Sequence, residues 1–266
     1  MVLCTVGVQD QVPHWMYNRQ KGGWLTAEYS MLPNAGSPRK PRDGRTGRPL
    51  DGRTQEIQRV IGRALRCAVD LKQLPEVTLW VDCDVLQADG GTRTTSINGA
   101  IVALYDALLY MEEQKRLPNW PMRGLVSAIS VGLKDGQPLV DLDYHEDSAA
   151  EADLNVICAN DGKLIEVQGA AEKAPFAVEQ FHEMVATGQR SCVSVDKHQR
   201  EELGICDDRA LDRHQQRWHR RLRALAAGGG CRRDPRAIPD LSCPGKIRRS
   251  VAPGNTIPHR RTVCVL

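Results

Sequence analysis

Two groups of residues in this chain have the types and spacing to handle an anion. The first lies in Asp82 to Ser96, where Gly90-Gly91 is followed by Thr92 and Arg93. Glycines let the backbone bend until its N–H groups converge, and a helix N-terminus adds positive potential. A Gly-Gly turn that opens a helix is therefore a natural anion cradle. Arg93 adds a forked, permanently charged donor that suits phosphate. The stretch has neither the Walker lysine nor GxGxxG spacing. A plain strand-to-helix turn with an exposed arginine describes it equally well. The second group is acidic, running from Glu146-Asp147 through Glu151 to Asp153. By spacing alone, a solvated acidic turn describes this group better than a catalytic one.

Recognisable elements flank both groups. Val77 to Val81 is rich in β-branched and aromatic residues and reads as a strand. Ile97, Ile101, Leu104, Tyr105, Leu108 and Leu109 recur at helical spacing, as on an amphipathic helix. Thr54 to Leu71 is the clearest helix, with Ile57, Val60, Ile61, Ala64, Leu65, Ala68 and Val69 on one stripe. Thr54 or Asp51 is placed to cap it, which puts Arg53 beside the free N–H groups of its first turn. Met1 to Val8 and Trp24 to Tyr29 read as strands, whereas Asn34 to Asp51 is a loop rich in Pro, Gly, Arg and Lys. Asp135-Gly136 and Asp161-Gly162 are hairpin signals. The first lies between strands expected at Leu125–Leu133 and Leu139–Tyr144, and the second follows a strand carrying Asp153 and Asn155. Pro175 to Ala186 has helical apolar spacing.

The 266 residues suit one large domain or two small ones. No apolar run is long enough to span a membrane and no signal peptide is visible. Nine cysteines are scattered without a CxxC pair or zinc spacing, the usage of reduced cytosolic thiols. The net charge of +3 hides an asymmetry. Residues 204–266 carry thirteen Arg and one Lys against five Asp, a net +9, which leaves −6 for the preceding chain. Any attraction of the main body for nucleic acid must therefore come from local patches.

Four long blocks occur in a consistent order. They are Gly23-Trp-Leu-Thr-Ala-Glu-Tyr-Ser-Met-Leu-Pro33, Gly52-Arg-Thr-Gln-Glu-Ile-Gln-Arg59, Leu86-Gln-Ala-Asp-Gly-Gly-Thr-Arg-Thr94, and Asp141-Leu-Asp-Tyr144 running on through Glu146-Asp-Ser-Ala-Ala-Glu151. Together they resemble ribonuclease PH, a family of phosphorolytic 3′→5′ exoribonucleases, from Val2 to Leu203. The resemblance implies an α+β fold of mixed sheets in paired βαβ-like halves, with helices on one side. It implies a catalytic domain over 1–203 and leaves 204–266 as a basic, largely structureless tail with a possible basic helix at Leu211–Ala227. It also implies further N-terminal strands that do not appear in this sequence, because either its start is set too far downstream or the protein is truncated; if truncated, the edge of the first sheet is expected to lie bare.

By the same resemblance, Arg53, Gly91, Thr92 and Arg93 hold inorganic phosphate; Thr94 and Ser96, near the same helix start, are secondary candidates. Asp147 and Asp153 form the catalytic pair. They bind Mg²⁺, whose hard character suits carboxylate oxygens, or move a proton to the leaving 3′-oxygen. Arg39 and Arg42 of the basic loop match arginines that contact tRNA. Asn34 stands where an arginine is often found. The expected activity is phosphorolytic trimming of tRNA precursor 3′ ends, with rRNA processing, by a cytoplasmic homohexamer built as a trimer of dimers. The alternatives are a non-catalytic RNA-binding subunit of the same fold and a truncated product that does not fold stably.

Overall fold

In the computed structural model, two sheets enclose a layer of two helices, and a fourth helix covers the outside of the second sheet. The structure describes residues 1–17, 21–42, 49–205, 248–250 and 262–265. The first sheet is built on β1 (Val2–Gln9), β2 (Trp24–Met31) and β3 (Thr78–Val85). Strand alternation places Val2, Cys4, Val6 and Val8 inward and leaves Leu3, Thr5, Gly7 and Gln9 half-buried. β1 runs antiparallel to β3, and β2 runs parallel to it. A parallel pair needs a crossover, which α1 (Gly52–Ala68) supplies between β2 and β3. Ile57, Ile61 and Leu65 of the expected stripe are fully buried.

α2 (Thr92–Glu113) follows β3 through the glycine turn. The sequence reads as amphipathic here, yet the helix is buried on nearly every face. It packs on β1 and β3 on one side and on β4 of the second sheet on the other. A helix that lies between two sheets has no solvent side to keep polar.

The second sheet has the order β5-β4-β6-β7, all antiparallel, with β4 (Val126–Lys134), β5 (Gln137–Val140), β6 (Ala152–Ala159) and β7 (Leu164–Ala171). Asp135 and Gly136 form the hairpin turn in the left-handed region, as expected. Leu154, Val156 and Cys158 face α4 (Val178–Leu203), whereas Ile157 joins the core under α1 and α2. Asp153 has the same parity as Ile157, so β6 points it at the helical layer between the sheets. α4 runs well past the expected Ala186 and stops at Gly204, whose positive φ closes the helix.

Two expectations are corrected. The alternating stretch Leu139–Tyr144 leaves the strand at Val140, and Tyr144–Ala149 forms a short helix, α3. Asp143 accepts from the Glu146 N–H while the Glu146 side chain accepts from the Asp143 N–H, and this capping box outweighs the alternation. The edge of β1 is also not bare. β9 (Thr262–Val265) pairs antiparallel with it, Leu3 opposite Val265 and Thr5 opposite Val263, and β8 (Arg248–Ser250) pairs with β9. The tail is therefore not wholly structureless: Thr-Val-Cys-Val has the β-branched character that an open ladder accepts. The expected Leu211–Ala227 helix lies outside the described residues. Among the described residues no helix is long and apolar enough to cross a membrane.

Candidate active site

Gly90 and Gly91 have φ of +69° and +52°, and Gly91 is the N-cap of α2. The left-handed backbone is what these glycines permit. It turns the chain so that α2 presents its first, unpaired N–H groups outward. A Cβ on Gly90 would stand 2.2 Å from the Leu142 carbonyl oxygen, so the loop lies directly against the chain entering α3. The Tyr144 N–H donates to Asp89 Oδ1 at 3.2 Å and ties the two together.

The hydroxyls of this region divide into two sets. Thr94 and Thr95 donate back to the Gly91 carbonyl at 2.8 and 2.9 Å, and Ser96 donates to the Thr92 carbonyl at 2.7 Å. Thr94 and Ser96, expected as secondary anion donors, are thus buried and engaged in the helix. The Thr92 hydroxyl meets the buried Tyr29 hydroxyl at 2.9 Å. Burial pushes the Tyr29 pKa above its ordinary value, while Thr92 and the charges of Arg53 and Arg93 pull it back. Both arginines therefore act on the same point.

A cleft of about 610 Å³ opens above this loop. Its lining includes Gly90, Gly91, Thr92, Arg53, Lys40 and Asp147. Three separate elements meet there: the first turn of α1 brings Arg53, the turn into α2 brings the glycines and Thr92, and α3 brings Asp147. Tyr144 and His145 complete the α3 wall. Arg39 and Arg42 are exposed on the loop after β2 and are not among the lining residues, whereas Lys40 between them is. Asn34 is exposed on the same loop.

Asp153 and Arg93 are not among the lining residues of the cleft. Burial, then the charges of Asp147 and Glu172, raise the Asp153 carboxyl above its ordinary pKa, and Arg93 counteracts them. The two aspartates are thus close enough to repel one another, and Arg93 is close enough to relieve Asp153. Arg93 also donates from Nη2 to Glu56 Oε2 at 2.7 Å, a contact that the spacing of residues did not reveal.

Residues 1–109 match domain 1 of the 3′ exoribonuclease family and residues 124–191 match its domain 2. The chain belongs to that family. Its fold is shared by the rice (Oryza sativa) protein Rrp46, at 16% identity and a TM-score of 0.58, over 75% of this chain and 81% of that one. It is also shared by a chain of the Archaeoglobus fulgidus exosome with RNA bound to the active site, at 21% identity and a TM-score of 0.59, over 74% and 78%. An archaeal exosome core chain aligns at 19% identity and a TM-score of 0.58, over 75% and 76%.

Arg53, the Gly90-Gly91 turn and Asp147 line one cleft, and the charge of Asp147 acts on Asp153. Among the described residues no group of three or more His, Cys, Asp or Glu side chains forms a complete metal site. The donor set nonetheless fits Mg²⁺, which binds through one or two carboxylates and takes its other oxygens from water and substrate phosphates. The mutual repulsion of Asp147 and Asp153 is the charge that such a cation offsets.

Proposed function

We propose that this protein is a phosphorolytic 3′→5′ exoribonuclease that acts on tRNA precursor 3′ ends and on rRNA ends. The observation that carries this reading is the convergence of Arg53, the Gly91-Thr92 turn and Asp147 on one cleft. Inorganic phosphate lies at the start of α2, held by Arg53, by the backbone of Gly91 and Thr92, and by Arg93. One of its oxygens attacks the last phosphodiester in line; the bond to the 3′-oxygen breaks, and a nucleoside 5′-diphosphate leaves. The chain needs no covalent intermediate for this. It holds the two reactants together and offsets the charge that gathers between them. Asp147 and Asp153 would hold Mg²⁺, which supplies charge neutralisation when bound. Asp153, with its raised pKa, is also suited to give a proton to the departing 3′-oxygen. Lys40 and the exposed Arg39 and Arg42 lead the RNA toward the cleft. A homohexameric ring, a trimer of dimers in the cytoplasm, is the assembly that accompanies this reading.

The test is nucleoside diphosphate release from an RNA with an unpaired 3′ tail, with Mg²⁺, in the presence and absence of phosphate. Phosphate-dependent release supports the reading. RNA binding without release sinks it and favours a non-catalytic RNA-binding subunit.

A further inference from the structure

We propose that Glu56 is the positioning residue of the site, acting through Arg93. The inference rests on the phosphorolytic reading above and assigns a role to a side chain that the reading does not use. Glu56 lies one turn after Arg53 on α1, on the same side of the helix. It therefore stands just behind the arginine that lines the cleft. Arg93 reaches it from the first turn of α2. The contact is largely out of solvent: the Arg93 side chain is 14% exposed and the Glu56 side chain 34%.

The pair is incomplete as an ion pair. A guanidinium and a carboxylate matched for stability close two parallel hydrogen bonds. Here Nη2 to Oε2 is the one bond formed, and Arg93 Nε and Glu56 Oε1 are both buried without a partner. Buried polar atoms left unpaired are rare, and each calls for an explanation, a functional role being one. One bond fixes where the guanidinium is and leaves its plane adjustable.

What Glu56 holds Arg93 away from explains the arrangement. Asp153 and Asp147 form a mutually repelling pair, and the charge of Arg93 acts on Asp153, so that pair competes with Glu56 for the guanidinium. Without Glu56, Arg93 falls onto that pair. The collapse removes a donor from phosphate and blocks the aspartates with an internal cation. With Glu56 in place, Arg93 is tied to α1 and stays available to phosphate at the start of α2.

The experiment is a double-mutant cycle on Glu56→Ala and Arg93→Ala, with Glu56→Gln as the variant of unchanged shape. The readouts are the KM for phosphate, kcat, RNA affinity, and the rise in melting temperature that phosphate produces. The expected result is that Glu56→Ala raises the phosphate KM at least about tenfold and leaves RNA affinity unchanged. It also abolishes the phosphate-induced rise in melting temperature. In the Arg93→Ala background the same substitution adds nothing further, because its whole effect passes through Arg93. Glu56→Gln keeps an acceptor for Nη2 and recovers part of the phosphate affinity. An unchanged KM in Glu56→Ala, or an undiminished effect in the Arg93→Ala background, overturns the inference. If Glu56→Ala does not fold, the Glu56→Gln cycle decides on the same criterion. Failure of the wild-type protein to release diphosphate is a different result and strikes the phosphorolytic reading itself.

Discussion

Gly90 passes so near Leu142 that a Cβ on the glycine would stand 2.2 Å from the Leu142 carbonyl oxygen and 3.0 Å from the carbonyl carbon of Asp143. This close approach, with the Tyr144 N–H to Asp89 bond, joins the glycine turn to the segment that carries Asp147. Gly90→Ala is expected to destabilise the fold by at least about 2 kcal/mol, from the positive φ and the forced separation together. Gly136→Ala is the control: its φ is +71°, but open space surrounds the position. It should cost only the backbone term of about 1–2 kcal/mol and spare the phosphate KM. Thermal melts and phosphate titrations of both variants check this.

Arg53 lines the cleft from the first turn of α1, so its loss should remove phosphate affinity and little else. A charge-assisted bond of this kind corresponds to about a 10- to 100-fold rise in phosphate KM. Arg53→Ala is expected to show that rise at fixed RNA, with RNA affinity within error of wild type. A fall in RNA affinity with unchanged KM would move Arg53 from the phosphate to the RNA.

Burial and the charges of Asp147 and Glu172 oppose ionisation of Asp153. Its folded pKa is raised, so its contribution to stability is intact below the unfolded value and is lost as pH rises through the folded one. Asp153→Asn should therefore stabilise the Mg²⁺-free protein near neutral pH while it abolishes diphosphate release. The gain stays under about 1 kcal/mol, because the carboxyl is only half-buried. It vanishes below about pH 3.9, the ordinary carboxyl pKa. Urea unfolding across that range measures it.

Arg39 and Arg42 are exposed and lie off the cleft lining. Their effect should be on RNA binding through counterion release. The doubly substituted Arg39→Ala/Arg42→Ala protein is expected to lower the slope of log affinity against log salt by about 1.4 for single-stranded RNA. Its kcat at saturating RNA should be unchanged. Fluorescence anisotropy at several salt concentrations gives the slope.

Removing residues 262–266 takes away β9 and reopens the ladder of β1. The shortened protein should melt lower and associate through that edge, as unpaired strands do. Sedimentation and thermal melts of the two lengths distinguish this from a passive extension, for which neither quantity changes.

Much of the site was legible because its parts are local. Gly90-Gly91 before an apolar helix, Arg53 at a helix start, and the two hairpin glycines each carry their geometry in two or three adjacent residues. Glu56 was not legible as a partner of Arg93, since the pair exists only once α1 and α2 lie side by side. The short α3 was masked by an alternation that reads as strand through Tyr144, although Asp143 and Glu146 already formed a capping-box signal. Thr94 and Ser96 were credited as anion donors from proximity, and the helix itself claims their hydroxyls. β9 gave a poor signal because four strand-forming residues are embedded in a segment rich in arginine and proline. The partner they need is near the opposite end of the chain.

That last pairing sets an order of assembly. Leu3 and Val265 are far apart in the sequence, yet they stand opposite each other. At about 5–20 residues per second, synthesis separates them by on the order of ten seconds or more. During that interval β1 can already pair with β3, while β9 is not yet there to pair with its other side. The contact between residues 3 and 265 also closes one of the longest loops the chain can form, a slow step for any protein. The nascent protein therefore emerges with a sticky strand whose natural cover has not yet been translated. Its yield in a cell depends on what shields that strand in the meantime.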